Sequence, residues 1–168
     1  MIYVTSLLEM PSYARSLRPG YLVSIIQPEF QPETPPEIET AKHHRVEVHD
    51  ISQPEPGAIH VQDEHILNLI EFLHAWPAEE SLLVHCYAGI SRSTAVALIA
   101  LTMKRPGRES DAAQALREAA PHASPNRLII SLADRLLGLE GRLVAAREAI
   151  GAGTQAQEGP LVELSVND

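Results

Sequence analysis

A chain of 168 residues has the length of one domain with a sizeable core, and 45% hydrophobic with 21% charged residues is the usual balance of a globular protein. Thirteen basic against 22 acidic residues leave a formal net charge of −9, which excludes a general nucleic-acid binder, since that work needs a basic face. No apolar run approaches the ~20 residues needed to span a bilayer, so no membrane partner is expected.

In chain order, the β-branched and apolar run over residues 2–8 predicts a strand, and residues 12–17 a helical turn closed by Pro19-Gly20. YLVSIIQ, residues 21–27, is a second buried strand. The stretch QPEFQPETPPEIETAKHH is rich in Pro and Glu and predicts an exposed loop. RVEVH, residues 45–49, alternates as a strand ending at Asp50, and ISQPEPGAIHVQ is again proline-interrupted loop. Apolar residues at Ile66, Leu69, Ile70, Leu73 and Trp76 predict an amphipathic helix over 63–76, with Asp63 and Glu64 suited to its N-terminus. Residues 81–85 form a short central strand. Residues 91–104 are apolar on nearly all sides and predict a buried helix, stopped by Arg105-Pro106-Gly107. A further helix is expected over 110–120, then a long amphipathic one over 125–150 with a break near Gly138 or Gly141. The expected organisation is one domain over residues 1–150 and a flexible tail over 151–168, within which LVELSV is a candidate docking strand. Strands alternating with helices predict an α/β layer fold with a mainly parallel sheet.

The chemistry concentrates in LLVHCYAGISRSTAVALIALTM, residues 82–103, which holds the only cysteine. One thiol excludes an intrachain disulfide, and the first 16 residues lack the basic start and cleavage site of a signal peptide. A cytoplasmic protein is the expectation. A lone cysteine by itself reads as a small buried hydrophobe. Here, however, the strand delivers Cys86 to the carboxyl edge of the sheet, where open α/β folds bind ligands. Tyr87, Ala88, Gly89, Ile90 and Ser91 form a tight turn, and Arg92 opens the next helix. Such a turn aims several backbone N–H groups at one point beside the positive helix end. The concavity suits a phosphoryl group, with the Arg92 guanidinium forking onto two of its oxygens. The same field favours the Cys86 thiolate, a nucleophile placed for in-line attack. Ser93 can donate its hydroxyl to the sulfur, and His85 can hold the loop through backbone carbonyls.

HCYAGISRS, residues 85–93, resembles the active-site loop of the cysteine-dependent protein tyrosine phosphatases, His-Cys-five residues-Arg-Ser/Thr. The GISRS ending and short chain are most similar to the dual-specificity branch, and SPNRLIISLADRLLGLEGRL (124–143) is similar to the proline-asparagine helix start that follows the loop in that family. The resemblance covers roughly residues 46–143. It implies a protein tyrosine phosphatase-like fold and hydrolysis of phosphomonoesters through a phosphocysteine, with no cofactor and no metal. The implied substrate is a phosphorylated protein, on phosphotyrosine and also phosphoserine or phosphothreonine. It also implies that Asn126 helps to hold the loop, and that an Asp on the loop after the preceding strand acts as general acid. Asp50, 36 residues before Cys86, ends a strand and opens such a loop. Asp63, 23 residues before Cys86, is the alternative acid, with a plainer role at a helix start.

Two other readings stay open. A small phosphoester such as an inositol phosphate is an alternative substrate, although YAGIS lacks the lysines such enzymes carry in the loop. A catalytically silent phosphate-binding module is the other. The histidines His43, His44, His49, His60 and His65 show no His-Glu-x-x-His spacing, so no metal site is expected. Arg127 reads as a solvated helix charge. Oligomeric state is open.

Overall fold

Successive side chains of a strand point to opposite faces of the sheet, and in the central strands of this protein both faces are apolar. A computed structural model describes residues 1–167. Its elements are β1 (Ile2–Thr5), α1 (Met10–Leu17), β2 (Tyr21–Ile26), β3 (His43–Glu47), α2 (Asp63–Ala75), β4 (Leu82–His85), α3 (Arg92–Lys104), α4 (Glu109–Ala119), α5 (Arg127–Leu136), α6 (Arg142–Ala149) and β5 (Val162–Leu164). The strands lie in the order β3-β2-β4-β1-β5. The first four are parallel and β5 runs antiparallel to β1. This is the expected α/β layer fold, with a mainly parallel, mixed sheet.

The alternation sorts the core into two layers. Ile2, Val4, Val23, Ile25, Leu82 and Val84 face the large core built with α2 to α6. Leu22 and Leu83 face the other way, onto Met10 and Ala14 of α1 and Ile38 of the loop after β2. In α3 every residue from Arg92 to Thr102 is buried, as its all-round apolar sequence requires. Among the described residues no helix is long and apolar enough to cross a membrane.

Several boundaries differ from expectation for local reasons. β1 ends at Thr5, three residues early, because the Leu7 N–H leaves the sheet and donates to the Tyr87 carbonyl at 3.0 Å. α1 begins at Met10, since Pro11 is harmless in a first turn whose N–H groups have no partner anyway. β3 starts two residues early, where His43 finds Leu22 of β2 as its register partner. The predicted long helix is two helices: Gly138, Glu140 and Gly141 all have positive φ, and the Asp134 carboxylate caps α6 by accepting from the N–H groups of Gly141, Leu143 and Val144. The loop between β2 and β3 contains two short 3-10 turns, at Pro28–Phe30 and Thr40–Lys42.

Candidate active site

The carboxyl ends of β2 and β4, the start of α3 and the loop after β3 meet at a pocket of about 340 Å³. Cys86 and Arg92 line it together with Gln27, Phe30, Asp50 and Tyr87. Cys86 leaves β4 directly and is 2% exposed. Its Sγ lies 3.1 Å from the Ser93 hydroxyl, one residue into α3.

The loop from Cys86 to Arg92 is held by its carbonyls. Tyr87, Ala88, Ile90 and Ser91 accept from the N–H groups of Leu7, Gly159, Ser124 and Asn126 respectively, all between 2.8 and 3.2 Å. The Cys86 carbonyl accepts from the ring of His85 at 3.1 Å. A trans peptide points its C=O and N–H in opposite directions, so carbonyls tied outward turn the following amides inward, toward the pocket. Gly89 has φ of 74°, and a Cβ there would stand 3.0 Å from the Thr5 carbonyl. Only glycine meets both demands.

Arg92 is 3% exposed and held in place before any ligand arrives. Its Nη1 donates to the Gln27 side-chain oxygen at 2.8 Å and to the Val48 carbonyl at 2.9 Å. Its Nε lies 3.9 Å from Asp50 Oδ2 and is buried with no hydrogen-bond partner among the described residues. A buried donor of that kind is costly unless something fills it, and an oxyanion in the pocket is a partner of the right charge.

The structure separates the two aspartates. Asp50 lines the pocket, with Oδ1 accepting from the Ser91 hydroxyl at 2.7 Å and from Asn126 Nδ2 at 3.0 Å. Asp63 begins α2, pairs with Arg135 and borders a different groove with His60 and Leu132. Asn126 caps α5 through Oδ1 on the Ile129 N–H, and its Nδ2 also donates to the Ile51 carbonyl. It thereby joins the helix start to the Asp50 loop. Arg127 is exposed and pairs with Glu148 at 3.1 Å.

His85 is fully buried, and burial is the main reason its pKa is pushed down to about 4. The bond to the Cys86 carbonyl opposes that shift, and the nearby Arg92 charge adds to it. The ring is therefore neutral at physiological pH.

Apart from Tyr87 of the predicted turn, several residues at the site carry no mark in the sequence. Gln27 ends a strand at the ligand edge, which is the only available hint. Phe30 and Tyr87 form an aromatic rim, with ring centroids 5.3 Å apart at 61° and both rings about half exposed. Ser24 and His43, behind His85, sit in strands whose pairing no local pattern announces.

Solved structures share this architecture. Human DUSP28 superposes with a TM-score of 0.61, at 22% identity over 83% of this chain and 90% of that one. A human tyrosine phosphatase-like serine/threonine/tyrosine-interacting protein gives 0.62, at 15% identity over 83% and 92%. The Yvh1 phosphatase domain from Chaetomium thermophilum gives 0.58, at 20% identity over 84% and 93%. Identity at that level establishes the fold alone. No curated protein matches the chain. The family model described as protein-tyrosine phosphatase matches residues 33–120, just over half of the sequence and inclusive of the whole loop from Cys86 to Arg92, so the chain belongs to the protein-tyrosine phosphatase family.

Proposed function

We propose that this protein is a cysteine-dependent phosphomonoester hydrolase of the dual-specificity type, acting on phosphotyrosine and also on phosphoserine or phosphothreonine of protein substrates. The observation that carries the reading is one pocket lined by Cys86 and Arg92, in which the buried Arg92 Nε has no hydrogen-bond partner among the described residues. A phosphoryl group in that pocket supplies the missing acceptor.

In the first step the Cys86 thiolate forms an S–P bond as the ester P–O bond breaks. Asp50 gives its proton to the departing oxygen. Its Oδ1 already accepts two hydrogen bonds, so the proton resides on Oδ2, the oxygen nearer Arg92. In the second step Asp50, now ionised, removes a proton from water, the P–O bond forms and the S–P bond breaks. Ser93 donates to the departing sulfur across 3.1 Å. The loop amides and Arg92 hold the equatorial oxygens in both steps. The aromatic rim of Phe30 and Tyr87 supports an aryl ester as the substrate group, since a tyrosyl ring leaving the pocket packs against it.

Hydrolysis of para-nitrophenyl phosphate and of phosphotyrosyl and phosphoseryl peptides between pH 5 and 7 tests the assignment. Cys86→Ser abolishes turnover, Asp50→Ala lowers kcat by about 100-fold or more, and Asp63→Ala stays near wild type. A wild-type protein inactive on all three substrates sinks the reading, and equal losses from the two aspartate variants sink the choice of acid.

A further inference from the structure

Behind the nucleophile, five hydrogen bonds run in series across three strands. Arg45 Nη2 meets Thr34 Oγ1 at 3.0 Å, and Thr34 Oγ1 meets His43 Nδ1 at 2.8 Å. His43 Nε2 meets the Ser24 hydroxyl at 2.8 Å, and that hydroxyl meets His85 Nε2 at 2.6 Å. His85 Nδ1 then meets the Cys86 carbonyl at 3.1 Å. Ser24 and His85 are register partners in β2 and β4. We infer that Thr34, His43 and Ser24 are positioning residues for the proposed phosphoryl transfer: with Arg45 as its fixed end, the series admits one arrangement of protons, and that arrangement locks the peptide of the nucleophile.

The arrangement follows from donor and acceptor counting. A carbonyl only accepts, so His85 carries its proton on Nδ1. The ring is neutral, which leaves Nε2 bare, and the Ser24 hydroxyl must donate to it. That uses the one proton of Ser24, so its oxygen accepts from His43 Nε2–H. Burial, assisted by the Arg45 charge, pushes the pKa of His43 down to about 3. His43 is therefore neutral too, and its Nδ1 accepts from the Thr34 hydroxyl. The Thr34 oxygen then accepts from Arg45, a group that only donates. An acceptor-only carbonyl at one end and a donor-only guanidinium at the other leave every bond between them with a single direction.

The series also ties a loop to the site. Thr34 belongs to the segment between β2 and β3, which Gln31 fastens by donating to the Ile26 and Val46 carbonyls. The same segment supplies Gln27 to Arg92 and Phe30 to the pocket rim. One stretch of chain thus orients both the arginine and, through His43, the cysteine.

This inference rests on the proposed hydrolase activity for its catalytic meaning, but its test does not need turnover. In protein labelled with nitrogen-15 at histidine, ring-nitrogen shifts place the proton of His85 on Nδ1 and that of His43 on Nε2, both rings neutral from pH 6 to 8. Ser24→Ala leaves the His85 proton on Nδ1 but removes the donor to Nε2, which shifts the Nε2 resonance and slows iodoacetamide alkylation of Cys86 about tenfold, the factor equivalent to one net hydrogen bond. Thr34→Val, at a partly exposed position whose loss spares the core, slows alkylation by a smaller factor. Thr34→Ser and His43→Gln, which keep the donors, restore it. Opposite tautomers in the wild type overturn the inference, as does wild-type alkylation in both Ser24→Ala and Thr34→Val. If the tautomers and alkylation behave as stated and no phosphoester is hydrolysed, the relay stands and the hydrolase reading falls.

Discussion

Ser93 has one hydroxyl proton, and the Cys86 sulfur stands 3.1 Å from its oxygen. A hydrogen bond to a charged partner contributes about 1.5–3 kcal/mol, and in the proposed mechanism the sulfur regains charge when phosphocysteine breaks down. Ser93→Ala is therefore expected to slow the second step by about 10- to 100-fold while leaving the first nearly intact. Rapid acid quenching followed by mass spectrometry then finds phosphorylated Cys86, and progress curves show a burst. Linear curves with no trapped phosphoenzyme would falsify the role. Cys86, Gly89, Arg92 and Ser93 were legible in the sequence because one strand, one turn and one helix start carry all four in fixed register. Asp50 and Asp63 stayed open there because the reach of a proline-rich loop is decided by what it packs on. Asn126 and Ser91 hold Asp50 at the pocket, while Arg135 engages Asp63 elsewhere. Gln27, Ser24 and His43 were illegible because the bonds from Gln27 to Arg92, from Ser24 to His85 and from His43 to Ser24 span 19 to 65 residues.

At the scale of elements, the α5–α6 junction shows how one carboxylate sets a boundary. Asp134, 5% exposed, satisfies three of the orphan N–H groups at the start of α6. Asp134→Ala leaves them unpaired and is expected to cost about 2 kcal/mol or more, read as a lower urea midpoint with an unchanged m-value. An unchanged midpoint would show that water caps α6 equally well. Glycines in LLGLEGRL disclosed that the helix breaks, since positive φ suits them. They did not disclose the cap, because Asp134 reads as an ordinary polar residue of an amphipathic helix. β3 was misplaced by two residues for a related reason. His43 and His44 follow a run of Pro, Glu and Thr, and only pairing with Leu22 and Val23 makes them strand.

Across the whole molecule, buried neutral histidines make stability depend on acid. His85 and His43 have folded pKa values of about 4 and about 3, below the ordinary 6.5, and burial also lowers His44 and His122. Below pH 6.5 the unfolded chain therefore takes up protons that the folded chain refuses, so stability falls as pH falls. For His85 the loss runs down to about pH 4 and for His43 to about pH 3. The urea midpoint is expected to drop steadily from pH 6.5 to pH 4, less steeply in His43→Gln; a flat profile contradicts the assignment. The sheet adds a constraint of another kind. Ile2 pairs with Leu164, and Gly159, five residues before that strand partner, donates to the Ala88 carbonyl of the loop from Cys86 to Arg92. The closure of the chain from Ile2 to Leu164 and the shape of the loop around Cys86 thus belong to one cooperative unit. Fraying of β5 therefore releases an anchor of the loop, so hydrogen exchange at Gly159 and ligand affinity should rise and fall in opposition.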